Sequence, residues 1–258
     1  MTAPFDLNPD HRAAYLYLEV ALLNLEGKIQ KPNVFVYLVH FHRWPTPRKY
    51  KPEEPLNPPV LLQADGDLKW LPYGLKPRQV ALKKEALLKY GSQAAYSKDF
   101  MLSFVRANEL YLDLPYEDLD TGPKASVSDP KTVRKELKPD EVNYWAQKGV
   151  FWVDIRVTSP LDELGVMNVE IFSYKNGVDF STLPKLNLRL LGNQLLARDG
   201  RRSVPEIQYR LGKKSLLIGV PLKLLRSPDT IFVSAQTLKN DISLDFGSWR
   251  ILRVNKGT

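Results

Sequence analysis

The stretch DLNPDHRAAYLYLEVALLNLEG, residues 6–27, carries a complete helix signature almost at the start of the chain. Asn8 suits the N-cap because its side-chain oxygen accepts from the free amides of the first turn. Pro9 suits the first helical position, and Asp10 complements the positive end of the helix dipole. From Ala13 to Leu25 apolar residues occupy most of the girth, with Glu19 and Asn24 as interruptions. The pattern predicts a helix over 9–26 buried against more than one neighbour. NVFVYLVH, 33–40, is a short continuous apolar run rich in β-branched and aromatic residues, the pattern of a strand covered on both faces. A helix followed closely by such a strand is half of an αβ unit.

Six prolines in RWPTPRKYKPEEPLNPP, 43–59, exclude regular structure and predict an extended surface loop of the kind that rims α/β binding sites. KPRQVALKKEALLKYG, 76–91, reads as a helix with Val80, Leu82, Ala86, Leu87 and Tyr90 on its apolar face and Gly91 as its stop. A second helix is expected near 96–107, and NELYLDLP returns to extended structure. Apolar density falls over 116–145, which predicts a linker with one short helix at KPDEVNYWAQ. From VFWVDIRVTS onward, short strand-like runs alternate with Gly, Asp, Asn and Pro, as in a β-sandwich. The expected organisation is an α/β unit over 1–115, a linker over 116–145 and an all-β sandwich over 146–258.

The chain has 258 residues, 43% hydrophobic and 26% charged, a globular composition. No apolar run approaches the roughly 20 residues of a membrane span, and no secretory signal opens the sequence, so a cytoplasmic location is expected. Cysteine is absent, which excludes disulfides and thiolate metal sites. The net charge of +8 lies mostly in residues 149–258, where 16 basic residues face 10 acidic ones, scattered singly along strands. That distribution reads as solvated surface, and no nucleic-acid partner is expected.

The three histidines are His11, His40 and His42. His11 lies in the first turn of the predicted helix and His40 ends the strand that follows. In a parallel α/β sheet those two places share an edge, so His11 and His40 can converge there. Spacing alone leaves two readings open, a metal or catalytic site and ordinary capping and strand-end residues. Arg43, Trp44 and Tyr50 are open in the same way. Arg43 can donate to an oxyanion or sugar hydroxyl and Trp44 can stack on a sugar face, or they can simply pin the loop. Trp152 and Trp249 fall in alternating strand patterns and read as core.

NPDHRA opening an apolar helix, then YLVHFHRWPTP, LNPPVLL, LKPRQVALKKEALLKYGSQ and FVRANELY, resemble in this order the second half of the catalytic domain of LmbE-like (PIG-L) deacetylases. The resemblance covers about residues 5–113. It implies a partial Rossmann-like domain and zinc-dependent removal of an acetyl group from N-acetylglucosaminyl compounds, the substrates being amino sugars or glycoconjugates. The family's His-x-Asp-His motif places its last histidine, a zinc ligand, on His11, and its aspartate, which tunes the motif's first histidine, on Asp10. That first position is Asn8 here. An amide cannot carry positive charge beside a developing oxyanion, and His40 is the candidate replacement. The Ala-His-Pro-Asp-Asp motif, which supplies two more zinc ligands and the base, does not occur in the sequence. The resemblance therefore implies a deacetylase lacking part of its catalytic set, with zinc weakly bound or absent. The other expectation is a noncatalytic carbohydrate-binding or assembly protein.

Overall fold

The structure is a computed structural model. It describes residues 1–30, 32–63, 68–114, 116–122, 139–157, 160–161, 165–239, 242–243 and 248–254.

Helix α1 spans Pro9–Leu25, and the Asn8 side chain accepts from the amide of Asp10 as its cap. Its buried stripe is Tyr15, Leu16, Glu19, Val20 and Leu23. The opposite face is exposed, with Tyr17 at 70% and Leu18 and Leu25 at 39%. The expected burial on several sides is thus corrected to one stripe. The apolar run 33–40 is extended but forms only isolated bridges, Thr2 with Tyr37 in parallel and Val36 with Leu112 in antiparallel. Val36 and Leu38 turn inward while Phe35 and Tyr37 turn outward, so this segment too is covered on one face.

A short helix, α2 (Val60–Gln63), follows the proline-rich loop. The hairpin of β1 (Lys69–Gly74) and β2 (Asn108–Asp113) then encloses α3 (Pro77–Leu88) and α4 (Gly91–Leu102). Gly91 starts α4 rather than stopping α3, and α4 bends at Ser97. Only Val80 of the expected apolar face of α3 is buried; Leu82 and Tyr90 are exposed.

The rest is a sandwich. One sheet has the order β10-β11-β5-β4, built from Gln208–Leu211, Ser215–Pro221, Val150–Val157 and Pro139–Gln147. The other runs from β3 (Glu117–Asp118) through β14 (Arg250–Arg253), β12 (Thr230–Lys239), β6 (Val166–Tyr174) and β7 (Lys185–Leu191) to β8 (Gln194–Asp199) and β9 (Arg202–Ser203), with β13 (Ile242–Ser243) paired to β12. The helix expected at KPDEVNYWAQ is strand β4. Pairing with β5 along Val142, Tyr144 and Ala146 overrides a sequence whose single Pro and acidic residues suggested a helix start. The sandwich therefore begins inside the expected linker; positions 123–138 of that linker lie outside the described residues.

The two sheets share one core, with Phe151, Val153, Ile155, Leu216 and Ile218 facing Val169, Ile171, Leu188, Ile231 and Val233. The alternate residues of the larger sheet, Tyr174, Phe232 and Ile251, with Trp249 just before β14, join Phe5, Tyr15, Leu16, Val20 and Leu23 in a second core. Helix α1 thus lies against the sandwich, tied by Tyr174 Oη donating to Asn24 Oδ1 at 3.0 Å and by an Arg253–Glu26 ion pair at 3.0 Å. Trp249 is core, as expected. Trp152 lies on the outer face of the smaller sheet, stacked on Trp145 with ring centroids 6.2 Å apart.

Candidate metal centre

Asp6 organises the N-terminal site. The residue is fully buried, and its carboxylate accepts three main-chain amides, from Asn8 on Oδ1 and from Val39 and His40 on Oδ2, each at 2.9 Å. The bond to Asn8 closes an Asx turn that launches α1. The bonds to Val39 and His40 fasten the extended segment 33–40 to that turn, and Leu7 N donates to His40 O at 3.0 Å beside them. One carboxylate therefore sets both the start of the helix and the end of the extended segment.

The histidines follow from this clamp. His11 Nδ1 lies 3.3 Å from Asp6 Oδ2, and His40 Nδ1 lies 3.3 Å from Asp6 Oδ1. Their ring centroids are 4.8 Å apart. His11 and His40 converge as expected, but through Asp6; among the described residues no parallel sheet edge joins them. Phe100, from α4, stacks on His40 at 5.7 Å, and the Arg48 guanidinium lies 5.1 Å over the other end of that aromatic contact. A cavity of about 420 Å³ opens here, lined by Asn8, His40, Arg48 and Phe100 among others.

Asp6, His11 and His40 form a possible metal-binding triad, their donor atoms all within 4.8 Å of one another. Two observations fit an ion. Ligands 2.0–2.2 Å from a tetrahedral zinc stand about 3.3 Å apart, the spacing of Asp6 Oδ2 from His11 Nδ1, while His40 Nδ1 contacts the other oxygen. His11 Nδ1 is buried without a hydrogen-bond partner, and a buried polar atom in that condition needs one.

The other expected site residues are placed differently. Asp10 is exposed on the first turn and its amide donates to Asn8 Oδ1; the carboxylate beside the histidines is Asp6. Trp44 is 3% exposed, donates Nε1 to Asn57 O at 2.8 Å and meets Phe104 edge-on at 5.2 Å. Its stacking role on a sugar is therefore corrected: the indole is the apolar anchor of the proline-rich loop. Arg43 is exposed with φ 51°, and its carbonyl accepts from Thr46 Oγ1. His42 is exposed and lines a cavity of about 400 Å³ with Arg43, Thr46 and Arg48. Tyr50 carries the Lys84 ammonium 4.7 Å over its ring, away from the triad.

The proline-rich loop is held from beneath. Arg106, 1% exposed, donates Nη2 to Pro47 O at 2.7 Å and Nε to Ser103 O at 2.8 Å, and pairs with Glu54 at 3.3 Å. Asn108 exchanges two bonds with the main chain of Leu56. Sequence reasoning missed Asp6, Arg48 and Phe100. The only local sign of Asp6 was its place two residues before the N-cap, where a carboxylate closes an Asx turn.

No protein-family model matches the chain, and no curated protein matches it.

Proposed function

We propose that this chain supplies the histidine side of a zinc-dependent N-deacetylase centre for amino sugars or glycoconjugates, carried on a partial Rossmann-like unit joined to the sandwich. The observation that carries the reading is the buried Nδ1 of His11, the residue on which the family resemblance puts a zinc ligand, which makes no hydrogen bond and lies 3.3 Å from the Asp6 carboxylate. Zinc bound there supplies Lewis acidity toward an amide carbonyl and lowers the pKa of water. His11 and Asp6 are the ligands this chain offers. His40 turns Nδ1 to Asp6 and lines the neighbouring cavity, so its Nε2 is available to hold a proton at the substrate, the place that Asn8 cannot fill. The family's remaining ligands and base belong to the Ala-His-Pro-Asp-Asp motif, which this sequence does not contain.

Zinc titration by calorimetry tests the metal side: one ion per chain, lost in His11→Ala, is expected. Equal binding by the variant overturns the assignment. Joining a family Ala-His-Pro-Asp-Asp half ahead of Met1 is expected to give amine release from N-acetylglucosaminyl compounds that requires zinc and His11. A joined protein that holds zinc but releases no amine overturns the deacetylase reading.

A second reading, a noncatalytic assembly protein, draws on the exposed face of α1, where Tyr17, Leu18 and Leu25 face outward. Concentration-dependent self-association that Leu18→Glu abolishes is its test. The carbohydrate-binding form of that reading loses its Trp44 platform to the core.

A further inference from the structure

The geometry points to an anion-binding subsite beside the triad, formed by Arg48 and Arg43, which selects substrates bearing a phosphate or carboxylate group. The inference rests on the reading above in taking the triad as the reacting centre.

Arg48 lines both cavities, the one that holds His40 and the one shared with His42 and Arg43. No ion pair to Arg43 or Arg48 occurs among the described residues. Two cationic forks without carboxylate partners, separated by a few residues of one loop, make a bidentate cradle for an oxyanion. The cradle is preorganised. Pro47, immediately before Arg48, has its carbonyl held by the buried Arg106, while Trp44, immediately after Arg43, is locked into the core. Arg43 itself sits in the left-handed region at φ 51°, a conformation that such a framework must hold in place. The Arg48 guanidinium is braced against Phe100, which in turn stacks on His40.

The rest of the wall agrees in sign. Asn8 and Pro9 bring the positive end of α1 to the same cavity. Of the carboxylates around the start of that helix, Asp10 is exposed on its first turn and Asp6 is buried and already engaged by three amides. Neither residue lines the two cavities. An anionic group held by Arg48 would leave the remainder of a small sugar extending toward His40.

Calorimetry on the full chain, comparing glucosamine 6-phosphate, glucosamine and inorganic phosphate, tests this. The sugar phosphate is expected to bind at least tenfold more tightly than glucosamine, with affinity falling as salt rises. Arg48→Ala should remove most of that tenfold preference and Arg48→Lys only part of it, with the near-UV circular dichroism unchanged. Equal affinity for glucosamine and its phosphate, no binding of either, or an Arg48→Ala protein that still discriminates overturns the subsite. Inorganic phosphate binding as tightly as the sugar phosphate overturns the substrate class. Zinc binding lost in His11→Ala is read separately. A chain that takes up zinc through His11 but does not discriminate anions keeps the metal centre and loses the subsite, and the converse result separates them the other way.

Discussion

His11 and His40 stand on opposite oxygens of one buried carboxylate, each imidazole 3.3 Å from Asp6. The pair is thus held by a group that also anchors the main chain on both sides, which makes site and fold inseparable at this point.

Replacing Asp6 tests that coupling. Asp6→Ala leaves the amides of Asn8, Val39 and His40 without their acceptor in a buried position. With charge-assisted bonds at stake, the loss is expected to be about 3 kcal/mol or more. Urea denaturation should show it, and zinc affinity should fall along with stability. Unchanged stability in Asp6→Ala would show that the clamp is dispensable.

Arg106 governs the loop that presents Arg43 and Arg48. Arg106→Met takes its donor from the Ser103 carbonyl and one of two donors from the Pro47 carbonyl, which keeps the Lys49 amide, at a cost of about 1–3 kcal/mol. Tryptic cleavage after Arg48 and Lys49 should accelerate. Arg106→Lys should recover little, because a single ammonium cannot span acceptors that a planar fork reaches together.

Alkaline pH should unfold the protein through its tyrosines. Burial, reinforced by Glu19, pushes the phenols of Tyr15 and Tyr116 up; the Tyr116 hydroxyl also donates to Glu19 at 2.5 Å. The folded chain therefore keeps these protons after the unfolded chain begins to lose them near pH ~10. Their stabilisation is complete below that pH and declines above it, by about 1.4 kcal/mol per pH unit for each tyrosine. Tyrosinate absorbance from these two residues should rise together with loss of circular dichroism. Reversible ionisation of Tyr116 in the folded state would contradict the assignment.

Gly219 supports the outer-face tryptophan. A Cβ added there would lie 2.8 Å from the Trp152 ring. Gly219→Ala should cost about 1–3 kcal/mol, as overpacking does. Trp152→Leu in the same chain should return part of that loss, and a double-mutant cycle by urea denaturation measures the coupling. Strict additivity would show that the ring gives way freely.

The sequence carried the helix from Pro9 and most sandwich strands clearly, because cap chemistry and period-two alternation are local signals. It misread KPDEVNYWAQ, since nothing within those ten residues reveals that β5 pairs along them. It overstated the burial of α1 for a related reason: an apolar girth shows what a helix can bury, while the sandwich covers only the stripe from Tyr15 to Leu23. In the site, the histidines were visible as rare residues at element ends. Asp6 was not, because its role comes from the chain returning to it at residues 39 and 40. Trp44 was misassigned for want of the same information, its partner Asn57 lying thirteen positions on.

The distance along the chain between Asp6 and His40, 34 positions, has an entropic meaning. Neither histidine finds the other until the intervening segment has closed on itself, and that closure is opposed by the entropy of a loop of this length. The histidine pair is therefore a product of tertiary closure, which the formation of α1 by itself does not supply.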